Sequence, residues 1–402
     1  MNYLILTSNY DLPTDANGLC VRNLVDEIEN RGDTAIVISE CLKCSRKYEQ
    51  NQNTYYLVAP ILKRMLSKSG NEIGKTIIRL GHSFFAFFCY PNVSPIRSYK
   101  EFKLACEIID NKNIDVVVGS YRPFESIYTA LKLKKKYSDS LFIVAHHLDL
   151  LLNPGNKGVL ERYKEYRASK VFSTEIDRLD LIILPTTEGN KYPYDNVITA
   201  GFPVITNQGN EKYYKNVFDP NYINVTYIGS LDQKNRNPKN VLSLIALLNQ
   251  YGQNVRLHIW GKISDSTTQQ MIDEDQFTYY HGFVDNKYIK DIYNNSDYLI
   301  NISNRITYNM LPSKIFNMFV SNKKIIHYIF NELDVSVPYI KDDSNSFLYK
   351  DQSNNNQIED LIDWMNDKQA QNYTKQNKYL EYTASYLLDS INGAYEYDNI
   401  GK

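Results

Sequence analysis

DYLINISNRITYNMLPSKIFNMFVSNKKIIHY, residues 297–328, is the stretch that decides the fold. Its apolar start ends near Ile302, as a buried parallel strand would, and a polar loop follows. Pro312 then stands where a first helical residue is preferred, because its fixed φ suits a helix and its missing N–H has no partner there. That leaves the N–H groups of Ser313 and Lys314 free at the positive end of a helix dipole, a place for an anion. Lys314 adds a charge suited to phosphate oxygens. Ile315 with Phe319, and Phe316 with Val320, are i, i+4 pairs able to pack on a sheet. Asn317 shares the other face with Ser313 and Lys314, so it can meet a ribose hydroxyl while they hold phosphates. KIIHYI (324–329) supplies the next strand. The spacing predicts a strand–loop–helix–strand cradle for a nucleotide diphosphate. A capped helix with a solvated lysine would carry the same pattern.

Outward from this stretch, short apolar runs alternate with helical patterns along the whole chain. YLILTS (3–8), TAIVIS (34–39), IDVVVG (114–119), LFIVAH (141–146), DLIILP (180–185) and NVITA (196–200) read as strands of a first sheet. Val21, Leu24, Val25 and Ile28 mark one face of the first helix, and Gly32 stands where a C-cap would. After the polar stretch 206–221 come NVTYIG (224–229), VRLHIW (255–260), FTYYH (277–281), DYLINI (297–302) and KIIHYI (324–329). Between them lie the helical patterns 240–250 and 286–295. Strands and helices alternating twice over imply two doubly wound α/β domains. The expected division is 1–204, 222–375 and a helical tail, 376–402, that crosses back to the first domain. Leu361, Ile362 and Trp364 are the expected anchors of the polar segment 357–395. In open α/β sheets ligands bind at the carboxyl ends of strands, so chemistry is sought there.

Composition narrows the classes. The chain has 402 residues, 43% hydrophobic and 23% charged, which describes a globular protein of about two domains. A formal charge of −1 gives no basic field to hold nucleic acid. The 34 tyrosines, with abundant Asn, Lys and Ile, read as compositional bias. The start MNYLILTSNYD resembles no secretory leader and no apolar run reaches the length of a membrane span, so a cytoplasmic location is expected. Cys41 and Cys44 form a single C-x-x-C without a second pair, so all five cysteines are expected to be free thiols and no metal site is expected.

The run LPSKIFNMFVSNKKII resembles the donor-site segment of GT-B glycosyltransferases, and three further segments resemble that family in order. NVTYIGSLDQKNRNPKN (224–240) is similar to its strand and basic loop, HIWGK (258–262) to its next glycine turn, and YYHGFVDNKYIKDIYNNSDYLINI (279–302) to its G-F and A-D segments. The resemblance implies two Rossmann-like domains facing a cleft, with no cofactor and a nucleotide-diphosphate sugar, UDP-linked, as donor. It implies Gly229, Ser230, Lys234, Arg236, Gly261, Phe283, Asn309, Pro312, Ser313, Lys314 and Asn317 as the donor site. Lys239 is a further cation of the same loop, and Arg236 can offer a bidentate fork to a diphosphate. Many retaining members carry two glutamates with seven residues between them; this chain has Asn309 and Asn317 there. An amide lacks the charge-assisted strength of a carboxylate, so the stereochemical course stays open.

In the first domain, His146, His147 and Asp149 end a buried strand, where the family often places a histidine near the reacting sugar. The favoured catalytic group is His147, with His146 and Asp15 beside it; a strand-end histidine bonded to backbone fits equally. The loop 8–18 supplies Asp11 and Asp15, and Gly18 and Arg22 open the following helix, as acceptor-side candidates. The absence of G-x-G-x-x-G argues against a dinucleotide. Glu125 is a weaker candidate. Residues 60–100 hold seven basic residues (Lys63, Arg64, Lys68, Lys75, Arg79, Arg97, Lys100) against Glu72, around the apolar FFAFFCY. They can lie on an anionic membrane face, or pack as a helix on their own domain. Three functions follow: a sugar transferase acting on a glycan or lipid-linked acceptor, a non-catalytic subunit of the same fold supporting a partner transferase, and, with less support, a nucleotide-sugar epimerase.

Overall fold

A computed structural model gives the architecture and describes residues 1–8, 10, 16–41, 48–60, 64–65, 76, 87–121, 124–148, 159–186, 191–203, 217–285, 288–306, 314–321, 323–341, 343–350, 355–367 and 380–400. The chain divides into two compact units, Met1–Pro203 with Glu381–Lys402, and Val204–Leu380. Both are α/β with parallel sheets, so the expected fold class is found.

The first unit contains β1 (Asn2–Leu6), α1 (Ala16–Asn30), β2 (Thr34–Cys41), β3 (Tyr48–Asn51), β4 (Thr54–Val58), α2 (Pro95–Asn111), β5 (Val116–Tyr121), α3 (Phe124–Tyr137), β6 (Phe142–His147), α4 (Val159–Arg178), β7 (Leu181–Pro185) and β8 (Val197–Ala200). Its eight strands run in the order β3-β4-β2-β1-β5-β6-β7-β8, parallel except for β3 on β4. Leu4 and Leu6 point into a core shared with Leu104 of α2, Ile127 of α3 and Phe172 of α4. Tyr3, on the other face, bonds Asn392 of the C-terminal helix. Each fully buried aliphatic side chain contributes about 1.5–3 kcal/mol, so the alternating faces of β1 alone commit helices to both sides of the sheet.

The second unit contains β9 (Ile223–Ile228), α5 (Lys239–Gln250), β10 (Val255–Trp260), α6 (Ser266–Asp273), β11 (Thr278–Tyr280), α7 (Ile289–Asn295), β12 (Tyr298–Ile302), α8 (Lys314–Phe319), β13 (Lys324–Ile329), α9 (Val337–Lys341), β14 (Ser346–Lys350) and α10 (Asn355–Asn366). The six strands are all parallel, in the order β11-β10-β9-β12-β13-β14. Val241, Leu244, Ile245 and Leu248 bury one stripe of α5 against Val225 and Leu257. Leu361 is buried in the same core, with Ile362 and Trp364 packed against it. The last helix, α11 (Ala384–Ile400), belongs to the first unit, where Arg31 of α1 pairs with Asp389 at 2.5 Å.

Each sheet is pinned by one device. Asp115, just before β5, donates its N–H to the Asn2 carbonyl at 2.9 Å and accepts from the Asn2 N–H through Oδ2 at 2.7 Å. Asp297 does the same to Asn224 at the start of β9, at 3.0 and 2.7 Å. In both units this fixes the register of the two strands between which the strand order reverses.

Two expectations are corrected. Cys41 is disulfide-bonded while Cys20, Cys89 and Cys106 are free, so the free-thiol reading fails at Cys41; C-x-x-C spacing suits a short-loop disulfide, and Cys44 lies outside the described residues. Arg97, counted among the cations of a surface stretch, is buried at 5% exposure because Glu101, 3.0 Å away, and Glu40, 3.6 Å away, neutralise it inside the unit. Lys63, Lys68, Lys75 and Arg79 lie outside the described residues; Lys100 is exposed. Among the described residues no helix is long and apolar enough to cross a membrane.

Candidate functional site

In the second unit the order reverses between β9 and β12, and the crevice at such a switch point is where open α/β sheets bind ligands. The loops leaving β9, β10 and β11 there are built on glycine. The Gly229 N–H donates to the Trp260 carbonyl and the Gly261 N–H to the Gly282 carbonyl, both at 2.8 Å. Gly261 holds φ +133, and a Cβ on it would stand 1.9 Å from the Gly229 carbonyl oxygen. A Cβ on Gly229 would meet the Tyr227 hydroxyl at 2.4 Å. Glycine is therefore required at both positions, and the backbone there is flush enough for a ligand to approach.

Arg236 is half-buried in the loop after β9. Its Nε donates to Asn304 Oδ1 at 2.8 Å, and Asn304, two residues beyond β12, is itself buried. Asn235 ties the same loops together, with its carbonyl accepting from the Arg305 N–H and its Oδ1 from the Ile306 N–H. Tyr227 is buried beneath Arg236 and donates its hydroxyl to the Ser230 carbonyl at 3.0 Å. Burial raises the Tyr227 phenol, and the Arg236 charge opposes that shift.

Lys314, the first described residue of α8, comes close enough to Arg236 for their charges to interact. Burial pushes its ammonium down to about 8, and Arg236 pushes the same way. No carboxylate among the described residues pairs with either cation within 4.0 Å. Two adjacent cations without a counter-ion form a site for a multiply charged anion. Asn317 stands half-buried one turn along α8. Asp334, 2% exposed, accepts from the Ser336 N–H and hydroxyl; desolvation raises its carboxyl, against the pull of Arg236.

Of the other candidates, Ser230, Lys234 and Lys239 are exposed, and Phe283, 59% exposed, offers an open ring face at the end of the sheet. Asn309, Pro312 and Ser313 lie outside the described residues, as do Asp11, Asp15 and Asp149. Asn304 was missed by sequence reasoning: it follows a strand as any polar turn residue might, and nothing local announces its bond to a residue 68 positions away.

In the first unit Gly18 and Arg22 lie within α1, not at its first turn, and Arg22 Nη1 bonds the Tyr10 carbonyl. His147 is buried, with Nε2 2.7 Å from Glu175 Oε2 of α4 and its ring between Tyr121 and Phe172. That environment locks it into the packing. His146 is also buried, and desolvation together with His147 lowers it to about 3. An imidazole that weakly basic orients by hydrogen bonding and does not take up a proton near neutrality.

No family model matches the chain, and no curated protein matches it in sequence. Its fold is similar to solved structures over its full length. Sucrose-phosphate synthase from Thermosynechococcus elongatus is 10% identical with a TM-score of 0.62, covering 100% of both chains. UDP-GlcNAc 2-epimerase from Methanocaldococcus jannaschii is 11% identical at 0.57, over 98% of this chain and 100% of the other. A trehalose-6-phosphate protein from E. coli bound with UDP-2-fluoro glucose is 11% identical at 0.54, over 98% and 97%. At such identities the likeness is one of architecture, and the architecture of this chain is the GT-B fold.

Proposed function

We propose that the chain is a glycosyltransferase that moves a hexosyl group from a UDP-linked donor held by the second unit to a glycan or lipid-linked acceptor. The observation that carries this reading is the pair Arg236 and Lys314, adjacent cations without a carboxylate partner among the described residues at the β9–β12 switch point. Their roles follow from charge. As the anomeric carbon–oxygen bond breaks, negative charge grows on the departing diphosphate, and fixed cations stabilise that state more than the ground state. Asn304 orients Arg236, Asn317 and Ser313 reach the ribose and phosphates, and Phe283 offers a face to the base. Asp15 and His146 serve the acceptor, Asp15 as base and His146 by orienting it. In this reading the protein works in the cytoplasm on polysaccharide, with Lys63, Lys68, Lys75 and Arg79 holding it to an anionic membrane face.

Calorimetry with UDP, GDP and ADP, followed by product analysis with UDP-glucose and UDP-GlcNAc, tests the proposal. Absence of any diphosphate binding, or affinity unchanged in Arg236→Ala, overturns it. The epimerase shares the fold, so release of an isomerised UDP-sugar would replace transfer with epimerisation. Asn317, where retaining members of the family it resembles carry a carboxylate, motivates a second reading: a subunit that binds nucleotide without turnover. Binding with neither hydrolysis nor transfer would establish that reading instead.

A further inference from the structure

The first unit has its own switch point, since β1 pairs with both β2 and β5. Buried polar groups collect at the carboxyl ends of these strands. Arg97 Nη2 donates to the Thr7 carbonyl at 2.9 Å, one residue past β1, and to Glu101 Oε1 at 3.0 Å. Glu101 also accepts from the Ser126 and Thr129 hydroxyls at 3.1 and 2.9 Å. Arg97 and Glu101 therefore satisfy each other. Glu125 does not share in this. It lies in the first turn of α3, immediately beyond β5, at 1% exposure, and its Oε1 has no hydrogen-bond partner. Arg97 Nη1, Ser120 Oγ on β5 and His146 Nδ1 on β6 are buried without partners too. Ser120 and His146 are register partners, so they stand side by side.

A buried carboxylate with no hydrogen bond is expensive, and folded proteins keep few such groups. Four unpartnered polar atoms at the ends of neighbouring strands, where an α/β sheet binds ligands, indicate groups kept for something else to satisfy. The charge balance limits what that is. Three carboxyl groups, those of Glu40, Glu101 and Glu125, act on one guanidinium among the described residues. The surplus is negative, which disfavours an anion and favours hydroxyl or ammonium donors.

Resting on the sugar-transfer reading, we propose that the β1–β5 end of the first unit is a second binding crevice, in which Glu125 and Arg97 read the hydroxyl or amino groups of a neutral or amino-bearing acceptor sugar and turn away a phosphorylated one. Glu125 accepts, Arg97 Nη1 donates, and Ser120 can do either. Glu125 is thus a specificity residue.

The test is calorimetry on the full chain with methyl glucoside, methyl glucosaminide and glucose 6-phosphate, with UDP titrated separately. The wild type should bind the glucoside and glucosaminide in preference to the phosphate. Glu125→Gln should weaken the glucosaminide about tenfold by removing a charge-assisted bond, without lowering the melting temperature. Binding of glucose 6-phosphate as tight as the others, or of none of the three, overturns the proposal. So does a Glu125→Gln chain that melts earlier yet binds sugars unchanged, because that is the signature of a purely structural partner of Arg97. If Glu125→Gln fails to fold, Ser120→Ala takes its place: weakened methyl glucoside binding supports the crevice and unchanged binding refutes it. UDP bound without sugar defeats this inference alone, whereas sugar bound without UDP defeats the transfer reading.

Discussion

The affinity of the second unit for a nucleoside diphosphate should fall as pH rises from 7 to 9, and Lys314 sets the size of the fall. Its ammonium titrates near 8, because burial and the neighbouring Arg236 both disfavour its charge. With that value it is about nine-tenths protonated at pH 7 and about one-tenth at pH 9. An anion binds the charged form, so affinity should drop about tenfold across those two units. A surface lysine would leave the profile flat, since it stays charged to above pH 10. Phosphate ionisation does not compete, because a second phosphate pKa near 6 is passed before the range begins. The assay is calorimetry with UDP at half-unit steps, in two buffers of different ionisation enthalpy; proton uptake on binding should peak near pH 8. Lys314→Arg should flatten the profile, because a guanidinium does not titrate there. A flat wild-type curve, or one unchanged in Lys314→Arg, would refute the placement of Lys314 on the phosphates.

Other expectations follow from the same contacts. Lys314 has a folded value below its unfolded one, so its penalty is present in full below pH 8 and vanishes as pH rises through its ordinary value. Lys314→Met should therefore stabilise the ligand-free protein by up to about 3 kcal/mol at pH 7 while abolishing diphosphate binding, read by chemical denaturation and calorimetry. Asn304→Ala frees the Arg236 guanidinium and should cost about 1.5–3 kcal/mol, ten- to a hundredfold in UDP affinity. Gly261→Ala should lower both stability and UDP affinity, since strain of about 1–3 kcal/mol adds to the collision with Gly229. Gly252→Ala, at φ +79 with nothing within 4 Å, should show strain alone and bind UDP normally. His147→Leu strands the Glu175 carboxylate and should cost about 2–3 kcal/mol in melting experiments with UDP affinity unchanged.

Buried parallel strands were legible because they are short apolar runs that no other element imitates at that length. Asp115, Asp180 and Asp297 mark three of their starts: Asp180 Oδ2 accepts from the Ile143 N–H as the other two accept from their neighbours. β3, β4 and β14 escaped notice, since edge strands are half-wetted and YEQN or SFLYK carries no apolar run. Arg97 was misjudged for a related reason. Charge patterns are read as surface patterns, and its carboxyl partners sit on β2, α2 and α3, which only the folded chain brings together. The donor cations were legible as a basic loop and a P-S-K helix start, but their shared environment was not, because the 78 positions from Arg236 to Lys314 are closed only by the β9–β12 pairing.

Asparagine in place of a glutamate at position 317 bears on turnover less than its loss of charge suggests. A ribose contact is remote from the breaking bond and holds donor and transition state alike, so weakening it raises the concentration of donor required without slowing the chemical step. The charge that grows during the reaction is on the diphosphate, and the groups placed to meet it, Arg236 and Lys314, are retained. Keeping Lys314 charged at neutral pH costs stability in the empty protein, a cost that a scaffold released from binding anions would have no reason to carry. Asn317→Glu separates the cases. If it raises UDP affinity severalfold and leaves the rate at saturating donor unchanged, the amide serves binding alone. If it creates turnover in a protein that otherwise has none, the second unit is a binding module whose missing carboxylate was catalytic.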